Sequence, residues 1–189
     1  MTERGMIFNA EMVRAILDGR KTQTRRIAKL SHERSMKNPV VRGKNGEASY
    51  VGCRLAAMLC PFGQPGDRIW VREAWTHESI DAENGSYSPD YRATANGQPL
   101  DGRWRPSIHM PRWASRITLE ITDVRVERLN SISEEDAKAE GAPTECCVIG
   151  DKHFLGFRSL WKSIYGDDSW QANPWVWVIE FRRVDGEAV

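Results

Sequence analysis

Two side chains near the start of the chain, Lys21 and Thr24, have the types and the spacing to act together in chemistry. A lysine amine serves as a base only where burial or neighbouring cations lower its pKa, and Arg20, Arg25 and Arg26 supply such cations. A threonine hydroxyl is a weak nucleophile unless a base lies beside it. The segment therefore indicates either a base and a nucleophile that converge on one point, or an ordinary surface turn rich in cations.

The elements around this pair follow from hydrophobic periodicity. Residues 9–19 are predicted to form a short amphipathic helix, with Asn9 as the N-cap and Gly19 in the C′ position. No regular helix or strand is expected directly after it, because Gly19 ends the helix and two consecutive arginines are too charged for a buried strand. The lysine and the threonine are therefore expected in a turn.

The rest of the chain alternates between predicted strands and short helices. Residues 116–128 form the clearest strand, and a switch of apolar parity at Thr122 and Asp123 predicts a bulge there. A helix is predicted from Ser133 to Gly141, with a partial capping box. Two more strands are predicted at 68–73 and 174–184, and a helix at 153–165. This order, without a repeated βαβ unit, indicates one domain with an α+β or barrel fold.

The charge of the chain is nearly balanced overall, with 27 Lys and Arg against 26 Asp and Glu, a net charge of +1. Its distribution is uneven, because ten Lys and Arg lie between Arg14 and Lys44, where the acidic residues are Asp18 and Glu33 alone. A local excess of this kind suits contacts with phosphates. A solvated loop with a bias of charge is the alternative interpretation.

Neither a metal nor a membrane is indicated by the sequence. The four cysteines are at positions 53, 60, 146 and 147, with no C-x-x-C pair and no histidine at the spacing of zinc ligands. No apolar run approaches the roughly 18 residues of a membrane span, and the N-terminal residues lack the pattern of a signal peptide. We therefore predict a cytoplasmic protein with free thiols, no metal, no other cofactor and no membrane partner, and we favour a monomer.

A family resemblance is carried by residues 16–25, whose sequence I-L-D-G-R-K-T-Q-T-R is similar to the opening signature of the ASCH family. That family belongs to the PUA-like superfamily of nucleic-acid-binding barrels. The P-G-D turn at 65–67, the acidic helix of 129–140 and the closing helix and strand of 157–181 are similar in kind and order. The resemblance implies an α+β fold: a PUA-like mixed β-barrel, or pseudobarrel, with short flanking helices. Compared with small members of the family, long loop insertions are expected near residues 28–60, 77–112 and 142–152, in a pattern similar to that of prophage and other bacterial ASCH proteins.

The same resemblance implies a possible reaction and its residues. Some small bacterial ASCH proteins are amidohydrolases that remove the acetyl group from N4-acetylcytidine. Carried over position by position, their proposed base falls on Lys21, their nucleophile on Thr24 and their proton donor on Glu140. A shift of the alignment would select Glu134 or Glu135 instead of Glu140. We prefer Glu140, because it ends the predicted helix, where a side chain can turn into a cleft.

Four functions remain open from the sequence. The first is a protein that binds a nucleic acid or nucleoside, RNA above all, in a basic cleft around Lys21 and Thr24. The second is the amidohydrolase, the third a ribonuclease that uses the same cleft, and the fourth a phage accessory protein that binds another protein through Trp-rich insertions. Tryptophans on strands either stack on bases or lie in the core. The residues predicted to contact the RNA or modified nucleoside are Arg20, Arg25, Arg26, Arg72, Glu73 and Trp75.

Overall fold

The structure is a computed structural model, and it describes residues 1–29, 39–42, 48–50, 52–80, 87–95, 103–144 and 152–184. These residues include nine strands and five α-helices. The strands are β1 (Glu3–Ile7), β2 (Gln23–Ile27), β3 (Val40–Arg42), β4 (Ala48–Tyr50), β5 (Arg68–Arg72), β6 (Trp75–Ile80), β7 (Tyr87–Tyr91), β8 (Thr118–Arg128) and β9 (Trp175–Val184). The helices are α1 (Ala10–Leu17), α2 (Cys53–Ala57), α3 (Glu134–Ala139), α4 (Lys152–Tyr165) and α5 (Asp167–Ala172).

The central sheet contains five strands in the order β1, β5, β8, β9, β2. β1 runs parallel to β5, and each of the other neighbouring pairs is antiparallel. The two short hairpins β3–β4 and β6–β7 form separate ladders. The N-terminal strand therefore lies at one edge of the sheet, and β2, which follows α1, lies at the opposite edge.

β8 and β9 are the long central pair, and their register changes between Ile121 and Asp123. Apolar residues occupy one parity before this point and the other parity after it, and a one-residue bulge keeps both sets on their buried faces. The bulge predicted from the parity switch is confirmed. Residues 175–179 of β9 are all buried, so this half of the strand is covered on both faces, as its continuous apolar run predicts.

The sheet separates two apolar clusters. Ile179 of β9 packs in a cluster with Phe8, Val13 and the apolar residues of β5. Its neighbour Val178 points to the other face and packs in a second cluster with helix α4. Consecutive residues of a strand alternate between faces, so the register of any neighbouring strand decides which cluster each side chain meets.

The predicted helices around the site are confirmed, and so are their caps. Asn9 caps α1 by accepting a hydrogen bond from the amide of Met12 at 2.8 Å. Ser133 caps α3 in the same way, at 3.1 Å from the amide of Asp136. Each satisfies one of the amide groups that a helix N-terminus leaves without an intrahelical partner.

The prediction of a turn after α1 is wrong, because residues 23–27 form the edge strand β2. Its arginines are accommodated next to the core because acidic side chains and ring faces lie around them. The strand β1 and the helix α5 were not predicted either. A mixed α+β architecture is confirmed, whereas the described strands form a sheet with two edges and no closed barrel.

A side chain of the edge strand β2 forms a hydrogen bond with β1, the strand at the opposite edge of the sheet. The Arg26 guanidinium of β2 donates a hydrogen bond to the carbonyl of Ile7 in β1 at 2.6 Å, and it lies over the Phe8 ring at 5.3 Å from the ring centroid. Within the predicted insertions, the described residues include β3, β4, α2, β7, the end of β6 and the irregular segment 103–112. Cys146 and Cys147 lie outside the described residues. No helix within the described ranges has the length and apolar character that spanning a membrane requires.

Candidate active site

The Lys21 amine and the Glu140 carboxylate form a buried ion pair. Lys21 Nζ lies 2.8 Å from Glu140 Oε2 and also donates to the Glu140 backbone carbonyl at 2.9 Å. The Lys21 side chain has no exposed surface, and 4% of the Glu140 side chain is exposed. The residue to which the family resemblance assigns the base and the residue to which the preferred alignment assigns the proton donor are thus in contact.

The backbone around Lys21 explains why the pair forms. Gly19 takes a φ of +72° at the end of α1, after which the Lys21 amide bonds to the Ala15 carbonyl at 3.0 Å. The Thr22 amide then bonds to the Ala139 carbonyl at 2.8 Å, and Lys21 forms an isolated antiparallel bridge with Glu140. Backbone hydrogen bonds therefore hold the segment between α1 and β2 against the end of α3.

Arg25 holds the second oxygen of the same carboxylate. Its Nη1 donates to Glu140 Oε1 at 3.1 Å, while Nη2 lies 3.1 Å from Asp136 Oδ2 and 3.4 Å from Glu127 Oε2. The Arg25 side chain is fully shielded from solvent, and the Phe157 ring lies against it at 5.9 Å. With one cation on each oxygen, the Glu140 carboxylate is fixed in position and orientation.

Arg125 extends this network toward solvent. Its guanidinium bonds to Glu127 at 2.6 Å and to Asp136 at 2.9 Å, and it also contacts Glu180. Gln23 donates to the carbonyl of Asp136 at 2.8 Å. Three cations, Lys21, Arg25 and Arg125, thus face four carboxylates, so the site is not the purely basic cleft expected from the local excess of Lys and Arg.

Burial lowers the pKa of Lys21 below its ordinary value. Loss of hydration is the largest cause, and the charges of Arg26 and Arg25 lower the pKa further. The Glu140 carboxylate acts in the opposite direction, because it stabilises the ammonium form. Cations near Lys21 therefore do lower its pKa, as the sequence predicted, although their effect is smaller than that of burial.

Thr24 points away from this pair. Lys21, Gln23 and Arg25 alternate along the strand and reach the residues of α3, so Thr24, one residue out of phase, faces the opposite side of the sheet. Its register partner is Ile179, which lies in the other apolar cluster. Among the described contacts the Thr24 hydroxyl makes no hydrogen bond to the ion pair. The structure thus brings the candidate base and proton donor together without the candidate nucleophile.

The other two glutamates considered as proton donors have different surroundings. The Glu134 carboxylate accepts hydrogen bonds at 2.8 Å from the amides of His153 and Phe154, at the start of α4. These bonds lower the pKa of Glu134 against the opposing effect of burial. Glu135 is exposed. Glu140 is therefore the glutamate of this helix that contacts Lys21.

Three of the predicted nucleic-acid contacts are arginines with partners inside the protein. Arg20 is exposed and pairs with Asp18 at 2.9 Å. Arg26 bonds to the Ile7 carbonyl, and Arg72 donates to the carbonyl of Ile108 while its guanidinium lies 5.2 Å from the Trp70 ring centroid. Of the predicted arginines Arg20 alone presents an exposed guanidinium in this conformation.

The remaining predicted contacts, Arg25, Glu73 and Trp75, are buried. Glu73 is 1% exposed and holds a bidentate ion pair with Arg116 at 2.9 and 3.0 Å. Burial raises the pKa of Glu73, and Arg116 opposes that rise. Trp75 is 2% exposed and packs with Met110 in a small third cluster. Base stacking by Trp75 stays a prediction for which this conformation offers no exposed ring face.

Two surface depressions, which we call the groove, lie near the ion pair, and neither is lined by Lys21 or Glu140. A depression of about 580 Å³ lies between α1 and α4 and is bordered by Arg14, Arg92 and Ser163. It shares Arg14 with a second depression of about 280 Å³ that reaches Gly141. Gly141 in turn borders the Lys21 side chain. In the described part of the chain, no three potential ligands among His, Cys, Asp and Glu are grouped to hold a metal ion.

The sequence does not predict the residues that surround the ion pair, namely Arg125, Glu127 and Asp136. It places Asp136 only in the partial capping box of Ser133, and it does not indicate Arg125 or Glu127 as site residues. The sequence does contain one indication of these residues. Arg125 and Glu127 lie on the polar face of β8, where they alternate with the buried Val124 and Val126. That pattern is typical of a solvated face, so the alternation alone does not predict an ion network.

Comparison with known proteins gives a structural similarity alone. No family model matches the chain, and no curated protein matches it significantly. An ASCH domain from Lactobacillus crispatus JV V101 is 13% identical with a TM-score of 0.44, over 96% of this chain and 79% of that one. A protein of Enterococcus faecalis V583, assigned to DUF984, is 12% identical with a TM-score of 0.42, over 97% of this chain and 80% of that one. The solved structures to which this chain is similar thus include an ASCH domain. This is the family whose opening signature is similar to residues 16–25.

Proposed function

We propose that this chain binds an RNA segment or a modified nucleoside through a PUA-like fold, and that it hydrolyses the exocyclic amide of an acylated cytidine at the Lys21–Glu140 pair. One observation carries the proposal: Lys21 Nζ lies 2.8 Å from Glu140 Oε2 with both side chains shielded from solvent. The same two residues, 119 positions apart, are those to which the family resemblance assigns the base and the proton donor.

The surroundings of the pair suit acid–base chemistry. A lysine with a lowered pKa holds a neutral amine at a lower pH than an exposed lysine does. The adjacent carboxylate can receive the proton that the amine collects. A purely structural pair would gain little from this arrangement, because replacing a buried ion pair by apolar side chains is often neutral or stabilising.

The reaction uses water and these two groups. The route starts from the neutral amine of Lys21 beside the Glu140 carboxylate, and the amine removes a proton from water as the water oxygen bonds to the acyl carbon. The proton then passes through the 2.8 Å hydrogen bond to Glu140, and from there to the exocyclic nitrogen as the carbon–nitrogen bond breaks. The products are cytidine and the carboxylic acid, and both catalytic groups return to their starting state. Because Thr24 faces the other side of β2, water takes the place of its hydroxyl in this route.

The groove between α1 and α4 is the proposed path of the substrate. It reaches Gly141, whose backbone borders Lys21 and follows Glu140 directly. The backbone of Gly141 packs against Ala15 and Lys21 at this point, so access to the pair requires the end of α3 to move away from Lys21. An acylated base that enters from the groove therefore approaches the pair next to the end of α3.

The test is incubation of the purified protein with N4-acetylcytidine, followed by chromatography for released cytidine. We expect release by the wild type and its loss in Lys21→Met and Glu140→Gln, each checked for folding by thermal unfolding. Lys138→Ala and Glu135→Gln are matched controls on α3, because both side chains are exposed, and their turnover should equal that of the wild type. Thr24→Ala separates the two routes, since turnover survives if water attacks and disappears if the hydroxyl is the nucleophile.

No release by the wild type would refute the hydrolase, and so would normal turnover in a folded Glu140→Gln variant. The first result would leave RNA or nucleoside binding without turnover as the function to test. The ion network fits that alternative, because such a network can also fix the position of β2 against α3.

A further inference from the structure

The segment before β8, residues 103–113, combines basic and aromatic side chains. It contains three arginines and two tryptophans and no acidic residue. We call it the 103–113 segment. The sequence predicted nucleic-acid contacts in the more strongly basic stretch near the N-terminus, but the structure turns Arg25 and Arg26 of that stretch inward.

The 103–113 segment is held firmly against the protein. The backbone of Arg105 pairs with that of Trp75 through hydrogen bonds of 2.9 and 3.3 Å. Met110 is 1% exposed and anchors the middle of the segment in the third cluster. Directly after the segment, the Tyr91 hydroxyl donates to the Ala114 carbonyl at 2.9 Å. Side chains that project from this backbone are therefore positioned before any partner binds, which reduces the entropy lost on binding.

Two large apolar side chains of this segment face solvent. Trp113 is 61% exposed, and Ile108 is 59% exposed. Trp113 meets the buried Trp75 ring at a right angle, with 5.6 Å between the ring centroids, so its position is fixed while most of its surface remains accessible. An exposed indole of this kind is a platform on which a nucleic-acid base can stack.

The cations of the 103–113 segment favour a polyanionic partner. Arg103 and Arg105 are both exposed. The Arg105 guanidinium lies 5.5 Å from the Trp75 ring centroid, and no acidic side chain pairs with it among the described contacts. Arg112 is bound by Glu3 at 2.8 Å, so it contributes less net charge. Arginine and an aromatic platform together are the usual means of binding single strands without reading their sequence.

We infer that the 103–113 segment is a binding surface for single-stranded nucleic acid, on which a base stacks on Trp113 and phosphates contact Arg103 and Arg105. The inference rests on the RNA-binding part of the proposed function and is independent of hydrolysis at Lys21. It also assigns the Trp-rich insertion a nucleic-acid partner in place of a protein partner.

The experiment measures binding of a fluorescein-labelled uridine oligonucleotide of about 12 nucleotides by anisotropy, across a series of salt concentrations. Trp113→Ala should weaken binding roughly 5- to 100-fold with an unchanged salt dependence, because a stacking contact releases no counterion. Trp113→Phe, which keeps a ring, should retain much of the affinity. Arg105→Ala should lower the slope of log K against log salt by about 0.7, the value for one phosphate contact with a single strand.

The matched controls lie on α2, which carries an exposed arginine and an exposed apolar side chain. Arg54→Ala and Leu55→Ala should bind the oligonucleotide like the wild type, since Leu55 is as exposed as Ile108, at 59%. Binding by the wild type that is unaffected by Trp113→Ala and Arg105→Ala would overturn this inference and leave RNA binding elsewhere on the protein. No binding by the wild type at low salt would overturn the inference together with the RNA-binding part of the proposed function.

Discussion

Gly141 and Lys21 are packed so closely that no side chain fits at position 141. A Cβ on Gly141 would lie 2.9 Å from the Cβ of Lys21 and equally close to that of Ala15. The backbone of Gly141 also has a φ of +71°, a conformation that other residues adopt at a cost. This contact fixes the distance between the end of α3 and the segment that carries Lys21, and with it the position of the ion pair.

Replacing Gly141 by alanine should therefore destabilise the protein by about 2–4 kcal/mol, the sum of left-handed strain and overpacking. Gly19→Ala is the matched control. Gly19 has nearly the same φ, +72°, with no atom within 4 Å of the added carbon, so it should cost about 1–2 kcal/mol from strain alone. Urea unfolding measures both. Equal losses in the two variants would show that the close contact with Lys21 is absent in solution.

The Lys21–Glu140 pair should show strong coupling in a double-mutant cycle. Removing one member of a buried pair costs about 3–5 kcal/mol. Glu140→Gln should cost more than Lys21→Met, because Glu140 also holds Arg25. The double variant should lose less than the sum of the single variants, by about 1–3 kcal/mol.

A more exposed pair between α4 and α5 provides the comparison for this cycle. Lys162 and Asp167 are 2.9 Å apart, close to the 2.8 Å of the buried pair, but their side chains are 31% and 74% exposed. Lys162→Met should change the free energy of unfolding by less than about 1 kcal/mol. Additive losses at Lys21 and Glu140 would contradict the buried contact.

The lowered pKa of Lys21 should be visible as a titration. In the window between that lowered pKa and the ordinary lysine value of 10.5, the folded protein binds fewer protons than the unfolded chain. The unfolding free energy contributed by Lys21 should therefore rise with pH through this window. Carbon NMR of the lysine Cε groups measures the titration directly, and the signal missing in Lys21→Met identifies the residue. A midpoint at or above 10.5 for that signal would contradict burial as the dominant influence.

Arg116 should stabilise the protein mainly by neutralising Glu73. Methionine at position 116 would leave a buried carboxylate without its partner, at a cost of about 3–5 kcal/mol. Burial raises the pKa of Glu73 above 4.5, and loss of Arg116 would raise it further. Above pH 4.5 the folded variant then binds more protons at Glu73 than its unfolded chain does. The loss of unfolding free energy relative to the wild type should therefore grow as the pH rises through that raised pKa.

Urea unfolding at about pH 5 and pH 8 tests the dependence on Glu73. Glu73→Gln combined with Arg116→Met should recover part of the stability at the higher pH, because no charge is then buried. Arg182→Met is the control, since Arg182 pairs with Glu120 while 69% exposed. A deficit of Arg116→Met that stays constant between the two pH values would show that Glu73 is not the cause.

Asp67 should contribute stability that disappears in acid. Its carboxylate accepts hydrogen bonds from the amides of Thr2 at 2.6 Å and Gln64 at 3.1 Å, and these lower its pKa to about 2. The advantage of the wild type over Asp67→Asn should be complete above the ordinary value of 3.8 and should fall as the pH approaches 2. Thermal unfolding at a series of pH values measures it. An advantage that is independent of pH would contradict the lowered pKa.

Elements with local signals could be predicted from the sequence alone. The period of apolar residues and the caps at Asn9 and Ser133 predict α1 and α3, because a helix start depends on residues within one turn. The parity switch in β8 predicts the bulge, because side chains alternate strictly along a strand. The family resemblance at residues 16–25 implied Lys21 and Thr24 as site residues, and Glu140 was implied by the preferred alignment of the acidic helix.

Tertiary structure decided which side chains became part of the site. The sequence could not predict β2, because Arg25 fits beside the core only where Asp136 and Glu140 neutralise it, and these residues are more than a hundred positions away. The register of β2 then turned Thr24 toward Ile179, on the face opposite to Arg25 and its bond with Glu140. Contact between distant residues depends on how the helices and strands pack. The residues next to a charged side chain in the sequence therefore do not predict which distant partner will bury or neutralise it.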